Sequence, residues 1–245
     1  MAAIDLTVIS AVVFDVDGVV TDTARVHAAA WKRVFDPFLR GRGSAPFDVR
    51  DDYLRHVDGR PRHDGVRTFL ASRGISLPEG DPGDEPGAAT VHGLGLAKDR
   101  IFVEQVGRYG VAPFPSAVVL LRELRRRGCR TAAVSASVHC RKVVTAAGVL
   151  HLFDAVVGGD DAARLGLPGT PDPALLLAAV KLLAVPPAKA AVCSDALPGL
   201  EAARRGGFGL VVAVDGSRPV EPDADVVVAG LADLEVVGRV PVTAG

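Results

Sequence analysis

The chain reads as an α/β fold, a parallel sheet flanked by helices and interrupted by a helical insertion. Residues 8–14 form an apolar run broken only by Ser10, the pattern of a strand buried on both faces. From Pro115 onward, short apolar runs alternate strictly with helical stretches, and that alternation implies parallel strands joined by helical crossovers. The opening strand needs the same sheet, so the largely helical residues 23–110 are best treated as an insertion. The predicted division is a core of residues 1–22 and 111–245 with a cap of residues 23–110.

Each element follows from local pattern. Residues 15–22 are a polar turn. Residues 23–39 have helical character, with Val26, Ala30, Val34 and Phe38 recurring as one apolar face. Helical stretches near 66–72 and 97–108 flank residues 76–90, a segment rich in Pro, Gly and acid that reads as a mobile loop. Past Pro115, helices are expected at 116–127, 139–147, 174–183 and 200–205. Gly128, Gly148 and Gly206 stop the first, second and last of these. Strands are expected at 131–134, 155–157, 190–193, 210–214 and 225–228.

Composition narrows the class. The hydrophobic fraction is 49% with 5% aromatic residues, so the core is mainly aliphatic. Net charge is −1, which marks neither a nucleic-acid footprint nor a membrane-binding face. The basic cluster Arg125, Arg126 and Arg127 falls at a helix end and reads as a solvated face. Cys129, Cys140 and Cys193 have neither framework nor zinc-site spacing, and a reducing compartment is the default. No apolar stretch reaches membrane-span length. A soluble, cytoplasmic protein is expected, with no nucleic-acid or membrane partner.

Chemistry is expected where strands end, because ligands of open parallel sheets bind at the carboxyl ends. Three apolar runs end in reactive polar residues: Asp15-Val16-Asp17-Gly18, Ser135-Ala136-Ser137 and Ser194-Asp195. Asp15 and Asp17, two positions apart, can share one site while Gly18 lets the chain turn sharply. One carboxylate can attack phosphorus while the other moves a proton. Asp195 can complete an oxygen-ligand set of the kind Mg²⁺ takes.

The segment Phe14-Asp15-Val16-Asp17-Gly18-Val19-Val20-Thr21-Asp22-Thr23, followed by His27 and Trp31, resembles the opening motif of the β-phosphoglucomutase-like subfamily of the haloacid dehalogenase (HAD) superfamily. Ser135-Ala136-Ser137 is similar to the second motif of these proteins, and Asp195-Ala196-Leu197-Pro198-Gly199-Leu200-Glu201 to the fourth. The chain is also similar to the HAD-like domain of large actinobacterial trehalose-phosphate phosphatases. The resemblance implies a Rossmann-like parallel-sheet core with an inserted α-helical cap, Mg²⁺ as cofactor and a phosphorylated sugar or sugar analogue as substrate. It implies that Asp15 becomes an aspartyl-phosphate and that Asp17 is the general acid and base. It makes Asp15, Asp17 (through its backbone carbonyl) and Asp195 the metal ligands. Ser135 and Ala136 then belong to the phosphate-binding segment. Thr23 and His27 take hinge and substrate-proximal positions, and Arg62 holds a second phosphate.

Departures from the family pattern matter. Thr170, in Gly169-Thr170-Pro171, stands where the family has its catalytic lysine, so only a weakened substrate contact is left there. Ser194 replaces the acid usually found before Asp195, and Asp58 replaces a cap lysine. Exchanging one lysine and one acid leaves the formal charge unchanged, so Thr170 and Ser194 are read as compensating changes. A phosphatase using an aspartyl-phosphate is the leading expectation. A phosphomutase and a catalytically impaired regulatory domain are the alternatives.

Overall fold

The computed structural model describes residues 2–214 and 224–241. It divides into two compact units, Met1–Asp22 with Ala112–Gly245, and Thr23–Val111.

The discontinuous unit is built on a six-stranded parallel sheet. Its strands are β2 (Ala11–Asp15), β3 (Arg130–Val134), β4 (Ala155–Val157), β5 (Ala190–Ser194), β6 (Leu210–Val214) and β7 (Val226–Val228). The order is β4-β3-β2-β5-β6-β7, so β2 lies inside the sheet with β3 on one side and β5 on the other. Ala11, Val12, Val13 and Phe14 are fully buried, because a central parallel strand is covered on both faces. Alternation sends Ala11 and Val13 into one apolar cluster. They share it with Ala132, Val134, Ala190 and Val192 of the neighbouring strands. Helices α7 (Ala174–Leu182) and α8 (Leu197–Arg205) cover that cluster through Leu175, Ala179, Val180, Leu200 and Ala203. The abundance of Ala on these strands lets helix backbones approach the sheet closely.

Two strands lay outside the expected set. β1 (Ala2–Asp5) and β8 (Leu234–Val237) form a separate two-stranded parallel sheet, with Ala2 opposite Leu234 and Asp5 opposite Val237. Four residues are too few to show a period, and the pairing joins opposite ends of the sequence. A short helix, α6 (Gly159–Leu165), was likewise missed; none of its residues is buried, so it has no apolar stripe to betray it. The arginine cluster closing α4 (Pro115–Arg126) is largely exposed, as expected of a solvated face, and its members are also paired. Arg125 pairs with Asp154 at 2.8 Å, and Arg126 and Arg127 both grip Glu123. Those two guanidinium groups hold the Glu123 carboxyl down to about 2. Arg127 also donates to the Gly238 carbonyl at 3.0 Å.

The second unit contains α1 (Thr23–Arg40), α2 (Arg62–Ser72) and α3 (Val91–Tyr109). Its centre is aromatic. Phe35 lies 4.4 Å from Phe69 and 5.3 Å from Phe47, and Trp31 stacks on Phe35 at 5.0 Å. The buried face of α1 therefore runs through Trp31, Phe35 and Leu39 as well as Ala30 and Val34, while Val26 and Phe38 sit only partly covered at its margin. Residues 76–90 hold no helix or strand, yet hydrogen bonds lace them to α3. The N–H groups of Val91 and His92 donate to Pro78 and Glu79 at 3.0 Å. The Asp84 carboxylate accepts from Thr90, which itself caps α3 by accepting from Gly93 N–H at 2.9 Å. Two of the acids that suggested a mobile loop, Asp81 and Asp84, are acceptors that close its turns. No helix among the described residues is long and apolar enough to cross a membrane.

Candidate active site

The end of β2 carries the first motif. Val16 N–H continues the ladder to Val134 at 3.1 Å, after which the chain turns on itself. Val20 and Thr21 N–H both return to the Val16 carbonyl, and Gly18 N–H donates to Thr21 at 2.8 Å. Gly18 is required twice over in this loop. Its φ is +86°, and a Cβ there would fall 2.0 Å from Oδ2 of Asp195. The Asp195 carboxylate thus lies directly against the Asp15–Asp17 loop.

Each of the two β2-end carboxylates meets a serine from a flanking strand. Ser194, at the end of β5, donates to Oδ2 of Asp15 at 3.0 Å. Ser135, following β3, donates to Oδ2 of Asp17 at 2.7 Å. Sequence reasoning assigned the Ser135 hydroxyl and nearby N–H groups to a phosphate. Here the hydroxyl proton goes to Asp17 while its oxygen accepts from Ser137 N–H at 3.0 Å. His139 N–H is likewise spent on Ser137 Oγ at 3.2 Å. A hydroxyl has one proton, so Ser135 must turn away from Asp17 to donate to a phosphate. Ala136 is half-buried, its carbonyl backed by Gly159, where a Cβ would fall 2.3 Å away.

In the sequence Ser194 stands out as a polar strand-end residue and as a replaced acid, with no partner assigned to it. Its contact with Asp15 depends on strand register, which spacing along the chain does not reveal. Thr170 is partly buried and precedes Pro171 through a cis peptide bond in the turn before α7. The Pro171 carbonyl accepts from Arg205 at 3.1 Å.

Among the described residues, no group of three or more His, Cys, Asp or Glu side chains is gathered into a metal cluster. The Asp17 carboxylate is turned toward Ser135. What remains at the strand ends is a set of hard oxygen donors, the Asp15 and Asp195 carboxylates and the Asp17 carbonyl. That set fits Mg²⁺, which favours few protein oxygens and keeps several waters. The sulfur atoms nearby do not compete for roles. Burial, reinforced by the charges of Asp17 and Asp15, pushes the Cys140 thiol far up, and burial alone pushes Cys193 up to about 12. Both stay protonated and inert.

The remaining candidates belong to the helical unit. Thr23 opens α1 and is buried, as is His27 one turn later. The His27 ring stacks on Phe102 at 4.0 Å, and Lys98 Nζ donates to its Nδ1 at 2.6 Å. Lys98 was missed by sequence reasoning, although a signal existed. It shares the register of Leu94 and Phe102 on α3, where an apolar side chain is the default. Its ammonium lies 4.9 Å from the Phe102 ring centre, an arrangement that helps a buried cation. Arg62, at the first turn of α2, forms an ion pair with Asp99. Burial lowers the pKa of its guanidinium.

Comparison with known proteins agrees with this architecture. Residues 9–207 match the model of a hydrolase family described as haloacid dehalogenase-like hydrolase. A β-phosphoglucomutase from Mycobacterium bovis is 39% identical over 240 residues, covering 92% of this chain and 91% of that protein. Validoxylamine A 7'-phosphate phosphatase from Streptomyces hygroscopicus is 27% identical over 86% of this chain and 89% of its own. Among solved structures, CbbY from Rhodobacter sphaeroides in complex with phosphate superposes with a TM-score of 0.70 and 26% identity. That match covers 92% of this chain and 96% of CbbY. A parallel sheet with β2 inside it, carboxylates at its strand ends and a family match across most of the sequence lead to one conclusion: this chain belongs to the haloacid dehalogenase-like hydrolases.

Proposed function

We propose that the protein is a Mg²⁺-dependent phosphatase that hydrolyses a sugar phosphate, or a sugar-like phosphate, through an aspartyl-phosphate on Asp15. The observation that carries this reading is the paired arrangement at β2. Two carboxylates stand two residues apart, each held by a serine from a different neighbouring strand. Differently held carboxylates suit different tasks, one attacking and one moving protons. The names of the relatives, a sugar phosphomutase and a phosphatase of a sugar-like phosphate, point to the same substrate class.

In this reading an oxygen of Asp15 attacks phosphorus, the bond to the sugar oxygen breaks, and Asp17 gives that oxygen a proton. Asp17 then takes a proton from water, which attacks the phosphorus. The bond to Asp15 breaks, phosphate leaves and the carboxylate is restored. Ser135 steadies Asp17 between the two transfers. The Asp15 and Asp195 carboxylates and the Asp17 carbonyl would hold the magnesium ion. Bound there, it would offset repulsion between an anionic nucleophile and an anionic ester. Phosphate release should be measured on a panel of hexose and disaccharide phosphates with Mg²⁺. Release that survives Asp15→Asn would reject the proposal.

A phosphomutase is the second reading, favoured by the 39% identity to a β-phosphoglucomutase. Such an enzyme must hold a bisphosphate while it turns, and Arg62 is the cap residue expected to do so. Its pairing with Asp99 weighs toward hydrolysis. Conversion of β-glucose 1-phosphate in a coupled assay, dependent on an added bisphosphate, would reverse the order of the two readings.

A further inference from the structure

We propose that Ser194 is a positioning residue that fixes the plane of the Asp15 carboxylate by donating to its Oδ2. The inference rests on the reading of Asp15 as nucleophile and adds to it the group that orients it.

The case begins with register. Phe14 pairs with Cys193 across β2 and β5, so Asp15 and Ser194 are the next step on adjacent strands. Ala11 and Val13 share a face with Ala190 and Val192, and alternation carries Asp15 and Ser194 onto that same face. The contact is thus built by the sheet and not by a loose loop. Ser194 is 1% exposed, so water does not compete with Asp15 for its proton.

The hydroxyl has little freedom. Its oxygen accepts from Ala196 N–H at 3.2 Å. Its proton has two acceptors in range, Asp15 Oδ2 at 3.0 Å and the Ala196 carbonyl at 3.4 Å. The nearer one is a carboxylate, and hydrogen bonds to charged acceptors are the stronger kind. Behind the pair stands Gly199 of α8. A Cβ there would fall 2.5 Å from Ser194 Oγ and 3.7 Å from Asp15 Oδ2. The backbone at Gly199 therefore walls off one side, and any side chain at 199 would displace the hydroxyl.

The consequence for the reaction is specific. When a carboxylate oxygen of Asp15 bonds to phosphorus, the other oxygen becomes the carbonyl of the acyl phosphate; when that bond breaks, the charge returns to both oxygens. A donor on the carboxylate keeps its plane fixed through both steps, and orientation of a nucleophile is worth large factors in rate.

The test uses the full-length protein with saturating Mg²⁺ and p-nitrophenyl phosphate, with rapid quenching to read phosphorylation of Asp15. Ser194→Ala should slow phosphorylation by about 10- to 100-fold, with KM and the half-saturating Mg²⁺ concentration each within about twofold of the parent. Gly199→Ala should slow the same step. The double variant should be about as slow as Ser194→Ala alone, since the one severe clash of the added methyl is with the hydroxyl, Ser194 Cβ lying at 3.3 Å. Melting temperature and the Mg²⁺-dependent affinity for trifluoroberyllate should be recorded beside the rates. A folded Ser194→Ala variant that phosphorylates within twofold of the parent overturns the inference. So does a loss that appears as weakened Mg²⁺ affinity, or additivity in the double variant. Turnover that survives Asp15→Asn, or a parent that neither turns over nor binds trifluoroberyllate, overturns the nucleophile reading itself.

Discussion

Ser135 donates a hydrogen bond to Asp17 at 2.7 Å, joining side chains that are 118 positions apart in sequence. The bond spans the ends of two adjacent strands. If Asp17 is the proton carrier, losing this donor frees its rotamer. Ser135→Ala is expected to lower kcat by on the order of 10–100-fold. Steady-state kinetics on any sugar phosphate the protein turns over will check this, and an unchanged kcat would remove Ser135 from the machinery.

Gly18→Ala tests the other close approach. The positive φ at this position costs a non-glycine residue roughly 1–2 kcal/mol, and the new methyl would land 2.0 Å from Asp195 Oδ2. Melting temperature should fall by about 2–8 °C. The half-saturating Mg²⁺ concentration should rise, because the carboxylate must move. A variant with parental melting and parental Mg²⁺ dependence would show that Asp195 does not need its present position.

The exchanged pair at Thr170 and Ser194 offers a charge test. Ser194→Glu alone would set a second carboxylate where a hydroxyl now donates to Asp15, and activity should fall. Adding Thr170→Lys supplies the missing cation. The double variant should outperform Ser194→Glu alone in kcat/KM; equal or lower activity would reject compensation between the two sites.

A pH effect is expected in the helical unit. The His63 ring lies 4.1 Å from that of His92. Burial, aided by the nearby Arg62 and His92, lowers its pKa from 6.5 to about 4. Between those values the unfolded chain takes up a proton that the folded chain refuses. Stability therefore falls as pH drops through that window and levels off below it. His63→Phe should flatten the melting-temperature decline between pH 7 and pH 5, measured by calorimetry. An undiminished decline would place the effect elsewhere.

Much of the sheet was legible because strands buried on both faces leave continuous apolar runs, and their ends are marked by the first polar residue. Asp15, Ser135 and Ser194 stood out for that reason. What each of them touches was not legible, since the Ser194–Asp15 and Ser135–Asp17 contacts depend on pairing between distant strands. The β1–β8 ladder was hidden by its four-residue length and its span from one end of the sequence to the other. In the helical unit, the Trp31–Phe35–Phe69 packing decided which side of α1 is buried, and spacing within α1 alone gave only part of that face. Lys98 went unnoticed because a lysine on a helix is ordinarily solvated. Its burial is a product of His27 arriving from α1 to stack on Phe102, one turn along the same helix.

The strand order also dictates a timetable. β2 ends at Asp15, yet its neighbours β3 and β5 begin only at residues 130 and 190. The helical unit between them is continuous in sequence, and contacts that close early on a growing chain favour such a segment. On the ribosome Asp15 must wait, its strand unpaired on both edges, while the three helices fold ahead of it. A pause in translation before residue 190 would leave that strand exposed, making the nascent chain a candidate for capture by chaperones well before any chemistry is possible.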